Sequence, residues 1–514
     1  MNEETPSGTG TTHTTHGILV QEVQRHCAIE TEYQRVPKSK VRSFKPAIPA
    51  SLPFARKTNS EPCFSTFPAS DDVAVDSIDV TCAAADTKGV EVSTDLTGQL
   101  WILCRSAFNS NRTVPDWSGW LSQTCEQEDA VIPSRIGYMK PILHPITDFA
   151  TVKKCLTISM EVTQKLNQEY TLVTMDLAAA KIAYDLIWGD RDLYEKVIVN
   201  LGPFHTMCSY MGAIGKMMSG SGFEDIVVEA GLCASGSIEQ VMSGKHYNRS
   251  VRVHQRMLDA LERMLLTSFN NSVESGQERD NLSAAVNLAF QPTAENLQNA
   301  EDSETCKTYL MEYDKFKAAV RHGKFGKTSQ FWLQYCDSVW VLLTYQRAVK
   351  ENNTDLFSNS MRKMCGLLFS ADHLNYGKYL PVYYTQLCNL QQSHPGAEML
   401  IRDCGFSVAR STVPGCRIPM DQTIEQTVNR SAKTSGGIIG FSRNVGAYYR
   451  WCLTRHKRAT YVEATLDHLD MADDHTEAHK STRQSSIKRS EQEVSQVMDT
   501  FDHFLNPFNI SEEQ

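Results

Sequence analysis

Two successive strand-turn-helix patterns between residues 170 and 218 constrain the fold of this chain more than any other feature. The stretch YTLVTMDLAAAKIAYDLIW begins as a β-branched apolar run, reaches Asp176 and continues as an alanine-rich helical pattern. The stretch KVIVNLGPFHTMCSYMGAIGK repeats this design, with a Gly-Pro turn before His205. Strand and helix alternating at this spacing are typical of α/β units with parallel strands. The sequence therefore predicts strands at 170–175 and 196–201, and helices at 177–188 and 205–218.

The rest of the chain divides by pattern into flanking and intervening regions. Apolar residues recur every three or four positions through most of 223–392, which is typical of amphipathic helices. Two later stretches, GFSVAR and GCRIPM, have short β-like patterns. A further helix is expected from about 421 to 433. We therefore expect five regions: an extended or disordered segment at 1–95, the first part of an α/β core at 96–222, an all-helical insertion at 223–400, the remainder of the core at 401–460, and an acidic, mostly disordered tail at 461–514.

The composition limits the classes of partner. The 514 residues carry 51 Lys and Arg against 60 Asp and Glu, a net charge of −9, so any nucleic-acid site must be local. No apolar run is long enough for a membrane helix and the first residues lack the pattern of a secretory signal, which favours a nuclear or cytoplasmic protein that is not secreted. The 15 cysteines contain no C-x-x-C pair and are expected to be reduced thiols.

Asp176 and His205 each occupy the turn between a predicted strand and the following helix. The carboxyl ends of strands in open α/β sheets are where ligand-binding and catalytic groups gather, so both residues are candidates for chemistry. Asp176 has a second interpretation as a helix cap, because an aspartate before an alanine-rich run satisfies free N–H groups. His205 is equally explained as a histidine that packs and hydrogen-bonds within the fold.

A later stretch, RIPMDQTIEQTVNRSAK, places Asp421, Glu425 and Asn429 at intervals of four residues. On a helix this spacing stacks three oxygen-bearing side chains along one face. Such a stripe suits a hard cation such as Mg²⁺, and it is also what an ordinary solvent-exposed face looks like.

Two stretches interleave basic and aromatic residues, a combination that suits phosphates and stacked bases. Ordinary solvated helix faces are the alternative interpretation. The candidate nucleic-acid contacts are Lys315, Lys317, Arg321, Lys324 and Lys327 in the first stretch, and Arg450, Arg455, Lys457 and Arg458 in the second.

The tail contains one amphipathic helical pattern, with apolar residues from Ile487 to Leu505. Such a helix is expected to dock on the body of the protein or on a protein partner.

Eight stretches in this order resemble a large group of transposon-derived proteins, mostly uncharacterised and abundant in invertebrates. The resemblance covers roughly residues 1–465 and rests on EETPSGTGTTHTTHGILVQ, TLVTMDLAAAKIAYDLIW, VIVNLGPFHTMCSYMGAIGK, GKHYNRSVRVHQRMLDAL, ADHLNYGKYLPVYYTQL, HP, GFSVARS and DQTIEQTVNRSAKTSGGIIGFSRN. Relatives in this group look like transposases of the ribonuclease H-like type. The resemblance implies a ribonuclease H-like mixed sheet core, with the helical block as its insertion and with flexible termini.

The resemblance also implies a chemistry. Ribonuclease H-like nucleases arrange about three carboxylates around two divalent metal ions, which activate the attacking oxygen and stabilise the leaving oxygen. By this resemblance Asp176 and Glu425 are the expected ligands of Mg²⁺ or Mn²⁺, with Asp421 and His205 beside them in the catalytic site.

One departure from the family pattern weakens the expected activity. In the family an acidic DN-x-D element precedes the EET stretch, whereas this chain opens at Met1-Asn2-Glu3-Glu4. A two-metal site with one carboxylate fewer binds metal poorly. We therefore expect a truncated or domesticated transposase-like protein that binds DNA with weak or no metal-dependent strand cleavage, and without a cofactor if it is inactive. The alternative is a non-catalytic scaffold for protein interactions.

Overall fold

The structure, a computed structural model, describes about two thirds of the chain. The described residues are 2–4, 11–13, 15–21, 55, 96–106, 114–125, 131–139, 142, 144–272, 299, 302–429, 454, 461, 465, 468 and 480–508. The predictions made for residues 1–95 and 430–479 lie almost entirely outside this set.

Helices form most of the described protein. Helix accounts for 71% of it and strand for 7%. A helical segment at 96–106 comes first. The helices that follow are α1 (Trp117–Thr124), α2 (Phe149–Lys165), α3 (Leu177–Gly189), α4 (Arg191–Tyr194), α5 (Pro203–Met218), α6 (Phe223–Glu229), α7 (Ile238–Met242), α8 (Tyr247–Ser272), α9 (Glu304–Arg321), α10 (Lys327–Glu351), α11 (Thr354–Ser370), α12 (Leu374–Cys388), α13 (Leu390–Ser393), α14 (Ala397–Cys404), α15 (Met420–Ile424) and α16 (Gln484–Phe504).

The strands pair two by two. The pairs are β1 (Asn2–Glu4) with β2 (Thr11–His13), β3 (Ile18–Gln21) with β4 (Arg135–Tyr138), β5 (Thr171–Met175) with β6 (Val197–Leu201), and β7 (Ser407–Val408) with β8 (Ile418–Pro419). Among these four described pairs, β5 and β6 alone are parallel, in a register that places Met175 opposite Leu201. This confirms the predicted strand-helix-strand-helix unit and its parallel pair.

The expected ribonuclease H-like mixed sheet core is wrong. In the part of the chain that the structure describes, no pair of strands hydrogen-bonds to another pair, so no sheet exceeds two strands. The carbonyl of Gly405 accepts hydrogen bonds from Asn200 Nδ2 (2.8 Å) and Thr174 Oγ1 (3.4 Å), so side chains rather than a backbone ladder connect the β5–β6 pair to the segment before β7. The helices expected to be an insertion instead form the main body.

Apolar side chains from nearly every long helix form one continuous core. It extends from Leu100 in the first helical segment, through Trp117 and Leu261, to Phe501 in α16. Trp101, Trp117 and Trp340 meet edge to face with ring centroids 5.4 to 6.2 Å apart, a favourable geometry for aromatic pairs.

The last helix is part of this body. Its predicted apolar face is covered, because Ile487, Val494, Val497 and Phe501 are buried. The centroid of the Phe501 ring lies 5.0 Å from the centroid of the Trp332 ring. Only the end of the predicted stripe, Phe504 and Leu505, remains exposed.

Buried ions fix the position of α16 on α8. Arg105 is fully buried and donates to Asp259 of α8 (2.6 Å) and to Glu491 of α16 (2.8 Å). Arg263, one turn after Asp259, bonds both of these carboxylates. Burial acts to raise the pKa of Asp259, but the two guanidinium groups outweigh it and lower that pKa. Because a buried charge is tolerated only when it is paired, this network specifies which faces of the helices meet.

Candidate functional site

Three segments that are distant in sequence meet beyond the carboxyl ends of β5 and β6. Asp176 directly follows β5, and Gly202 directly follows β6. Helix α15 packs against both β5 and α5, which brings Asp421 to the same place. The structure thus brings together the acidic and histidine residues singled out in the sequence.

Asp421 binds the first turn of α5. Its Oδ1 accepts from the Phe204 N–H (2.9 Å), and its Oδ2 accepts from the His205 N–H (3.0 Å). Oδ2 also lies 2.8 Å from Nδ1 of the His205 ring. A carboxylate at a helix N-terminus satisfies free N–H groups and interacts favourably with the helix dipole. Asp421 therefore caps α5 from another part of the chain and also orients its histidine.

Gly202 is what allows Asp421 to approach so closely. A Cβ atom added at Gly202 would overlap the Asp421 carboxyl group. The Gly-Pro turn then begins α5 with Pro203 in the first helical position, where its missing N–H has no cost.

Asp176 is a helix cap, one of the two interpretations left open by the sequence. Its Oδ1 accepts from the Ala179 N–H at 2.9 Å, in the first turn of α3. It also acts on the neighbouring histidine through its charge, as does Glu425.

His205 lies among three carboxylates and holds its proton more tightly than usual. Burial acts to lower its pKa, but the hydrogen bond and charge of Asp421 outweigh this, and the charges of Asp176 and Glu425 add to them. The pKa of His205 is therefore raised. Because Nδ1 faces Asp421, Nε2 is the ring nitrogen left for another group, and the side chain is 35% exposed. An imidazole oriented in this way can donate a proton or bind an anion.

Two further side chains at this site gave no signal in the sequence. Cys208 lies one turn after His205, and burial together with Asp421 and Glu425 raises the pKa of its thiol to about 12, so it remains protonated. Burial raises the pKa of Tyr376 in α12, and the charges of Asp421 and Asp176 raise it further. The Gly-Pro turn was the one sequence signal for a close contact, whereas nothing local marks Tyr376.

A two-metal centre does not fit these residues. Both Asp421 oxygens already accept N–H donors, Asp176 Oδ1 caps α3, and Glu425 Oε1 accepts from Asn429 Nδ2 at 2.8 Å. Within the described ranges, no group of three or more His, Cys, Asp or Glu side chains is arranged to hold a metal ion. The predicted stripe spans a change of helix type, because α15 ends at Ile424 and a π-helical turn, Glu425–Asn429, follows it.

The basic residues of the first predicted nucleic-acid stretch have different environments. Lys317 is only 6% exposed and forms a 2.9 Å ion pair with Glu262, so it is not available to phosphates. Lys315 pairs with Glu312 and Arg321 pairs with Asp337, both at the surface. Lys324 and Lys327 are exposed around the turn that joins α9 to α10. The second predicted group, Arg450, Arg455, Lys457 and Arg458, lies outside the described residues.

The structure also bears on the predictions about membrane helices and cysteines. Among the residues with assigned positions, none of the helices is both long enough and apolar enough to cross a membrane. Ten of the cysteines within the described ranges are free thiols.

Comparisons with known proteins give one match. Residues 116–514 match the family described as "Domain of unknown function (DUF8702)". Neither the curated proteins nor the solved structures include a significant match to this chain. The matched region contains the strand-helix unit, helices α1 to α16 and all of the site residues discussed above. Because the match covers well over half of the chain, the protein belongs to the DUF8702 family.

Proposed function

We propose that this chain is a transposon-derived, transposase-like protein that binds DNA and has weak or no metal-dependent strand cleavage. The observation that carries the proposal is the meeting of Asp176, His205, Asp421 and Glu425 at the carboxyl ends of two parallel strands. A nuclear location would follow from binding DNA in a cell with a nucleus.

The bonding of the carboxylates supports weak rather than efficient catalysis. Two-metal phosphoryl transfer needs several carboxylate oxygens facing the ions. Here Asp421 is committed to the amides of α5, which leaves Asp176 and Glu425 to hold any Mg²⁺ or Mn²⁺. Two carboxylates that already accept other hydrogen bonds would hold such an ion loosely.

The α9–α10 turn supports local contact with DNA. Lys324 and Lys327 are exposed there, and Lys315 is exposed further back on α9. Because the whole chain is acidic, only a concentrated group of cations of this kind can attract a phosphate backbone. We therefore expect weak binding that depends strongly on salt.

Binding and cleavage can be tested on the same duplex. A fluorescent DNA duplex is titrated with the full chain at about 50 and about 200 mM NaCl, and anisotropy is measured. Replacing both Lys324 and Lys327 with Gln should weaken binding and reduce the salt slope by about 1 to 2. The matched control replaces Lys245, exposed between α7 and α8, and Lys378, exposed on α12, with Gln and should leave both quantities unchanged. If the affinity does not change with salt, or if the two double variants bind DNA equally, the α9–α10 turn is not the DNA contact.

Cleavage is followed on the same duplex with Mg²⁺ or Mn²⁺. We expect a rate no more than slightly above that of the metal alone, and Asp176→Asn should remove any excess. Rapid cleavage by the unmodified chain that is lost in Glu425→Gln would contradict the proposal of a nearly inactive site.

A scaffold for protein interactions is the second candidate. Two observations favour it: Lys315, Lys317 and Arg321 are neutralised by acids of the same chain, and Phe369 and Leu374 expose apolar surface around the α11–α12 turn. Absence of salt-dependent DNA binding would favour this candidate. A partner bound through the turn should then be lost in Phe369→Ser and retained in Met311→Ser, which changes an exposed side chain on α9.

A further inference from the structure

A serine and a histidine from distant parts of the chain are paired between α5 and the start of α12. The Ser209 hydroxyl oxygen lies 3.1 Å from Nδ1 of His373. Ser209 lies on α5, and His373 directly precedes α12. Both side chains are half-buried, so they are held in place and can still be reached from solvent. A serine hydroxyl bonded to an imidazole is the arrangement that activates serine as a nucleophile.

Two further contacts hold His373 against α5. A Cβ atom added at Gly212, one turn after Ser209, would lie only 2.9 Å from Cε1 of the ring. Glycine inside a helix costs about 0.5 to 1 kcal/mol relative to alanine, and here its missing side chain makes room for the imidazole. One turn further along α5, Lys216 pairs with Asp372 at 2.7 Å. The serine and the histidine are therefore positioned by the fold itself.

The surroundings of His373 keep its ring neutral. Burial lowers the pKa of His373, and the charge of Lys216 lowers it further. A neutral imidazole can accept the serine proton at neutral pH, whereas a protonated one cannot. The pKa of His205, one turn before Ser209 on α5, is shifted in the opposite direction. A base at neutral pH is therefore expected of His373 and not of His205.

The turn between α11 and α12 also exposes apolar surface next to the pair. Phe369 is 61% exposed and Leu374 is 45% exposed, on either side of His373 in the sequence. Apolar surface of this kind can hold the apolar part of a ligand. The ammonium group of Lys216, whose charge acts on the ring of His373, can stabilise negative charge that develops on a carbonyl oxygen there. These features suit a neutral substrate with a carbonyl group and an apolar body.

We propose that Ser209 and His373 form a nucleophile and base pair that hydrolyses small carboxylic esters with an apolar acyl group. Ser209 Oγ bonds to the carbonyl carbon while its proton passes to Nδ1 of His373. The bond from that carbon to the alcohol oxygen breaks, and Nδ1 returns the proton to the alcohol. Water then attacks the acyl-serine with the help of the same base, which releases the carboxylic acid and the free serine. The reaction uses neither Asp176 nor Glu425, and it needs no DNA.

Covalent labelling of the full chain tests the nucleophile. A fluorescent fluorophosphonate is added at neutral pH with EDTA present, so that the serine oxygen displaces fluoride from phosphorus. Peptide mass spectrometry should locate the label on Ser209. Hydrolysis of para-nitrophenyl butyrate, followed by the release of nitrophenolate, gives a second readout. Both rates should fall as the pH drops through a midpoint below 6.5, the ordinary value for histidine, because the protonated ring is no longer a base.

Variants identify the two groups. Ser209→Ala should abolish labelling and ester hydrolysis above the buffer rate, and His373→Gln should slow both at least about tenfold. The matched controls are Ser122→Ala, which changes a half-buried serine bonded to a backbone carbonyl on α1, and His322→Gln, which changes an exposed histidine. Both controls should react like the unmodified chain.

The position of the label in the unmodified chain decides the outcome even if a variant fails to fold. No label, a label on a residue other than Ser209, equal rates in His373→Gln, or rates that do not change on acidification would overturn the proposal. Because EDTA is present and DNA is absent, these results do not depend on whether the chain binds or cleaves DNA.

Discussion

At the scale of single residues, Asp421 has the most consequential set of contacts in the candidate site. It caps a helix that begins more than 200 residues earlier and holds one nitrogen of His205. Both oxygens of this carboxylate are therefore occupied by hydrogen bonds that hold the fold together. The cap and the contact with His205 are structural and do not depend on any chemistry at the site.

The raised pKa of His205 gives a prediction about pH. A group whose pKa is higher in the folded state than in the unfolded state stabilises the fold at low pH, and this contribution is lost as the pH rises through the folded value. We expect the His205 ring to titrate in NMR spectra above 6.5, the ordinary value for histidine. Asp421→Asn should lower that midpoint, because it removes the largest interaction that favours the protonated ring.

The comparison residue for this titration is His373. Burial lowers its pKa, so its ring should titrate below 6.5 in the same spectra and should respond little to Asp421→Asn. A His205 midpoint at or below that of His373 would show that the carboxylates do not act on the ring as described.

At the scale of elements, α8 is the helix on which the body is organised. It is 26 residues long, and its buried face mixes apolar side chains with Asp259, Glu262 and Arg256. These ionic groups pair with residues from the first helical segment, from α9 and from α16. The helix thus selects its neighbours by charge as well as by apolar contact.

Removing one member of the buried network should be costly. Arg105 and Arg263 share two carboxylates, and Asp259→Asn removes the negative charge of the fully buried one, leaving Glu491 to pair with both. We expect a loss of about 3 to 5 kcal/mol in the free energy of unfolding, measured by urea titration. Lys307→Met breaks an exposed pair with Glu304 and should change the same quantity by less than about 0.5 kcal/mol. Similar losses in the two variants would mean that the buried network does not specify the packing.

At the scale of the whole molecule, the described protein is one helical core that needs its last helix. Phe501 packs on Trp332, and the Ser329 hydroxyl donates to the carbonyl of Pro507. Glu491 and Glu493 satisfy guanidinium groups of Arg105, Arg263 and Arg256. Without these contacts, buried charges and a large aromatic surface would face water.

A truncation tests this dependence. A chain that ends after residue 483 should lose its single cooperative unfolding transition and bind an apolar dye such as ANS, as loosely packed states do. A chain that ends after residue 508 retains these contacts and serves as the control, with cooperative unfolding expected. Cooperative unfolding of both chains at the same urea concentration would contradict the dependence.

Local patterns predicted the elements well and their assembly poorly. The ends of β5 at Met175 and of β6 at Leu201 lie where they were predicted, because Asp176 and Gly202 mark the turns, whereas α5 begins at Pro203, two residues before the predicted start. Whether a strand joins a larger sheet depends on pairing between distant segments. A short apolar run has the same sequence pattern in a two-stranded sheet as in a five-stranded one.

The same limit applies to the sites. The gathering of Asp176, His205 and Asp421 followed from their placement after predicted strands and from the family resemblance. The burial of Lys317 depends on Glu262, which lies 55 residues away in sequence. A basic residue on an amphipathic helix has the same sequence pattern whether it faces water or a buried acid.

The contacts of α16 also determine when this protein can finish folding. Arg105 and Asp116 leave the ribosome hundreds of residues before Glu491 and Ser490, which complete their bonding. Until translation passes α16, the ionic groups of α8 and Arg105 therefore lack the partners that α16 supplies. We expect the nascent chain to stay loosely packed until then, so chaperone demand should peak in the last stage of translation.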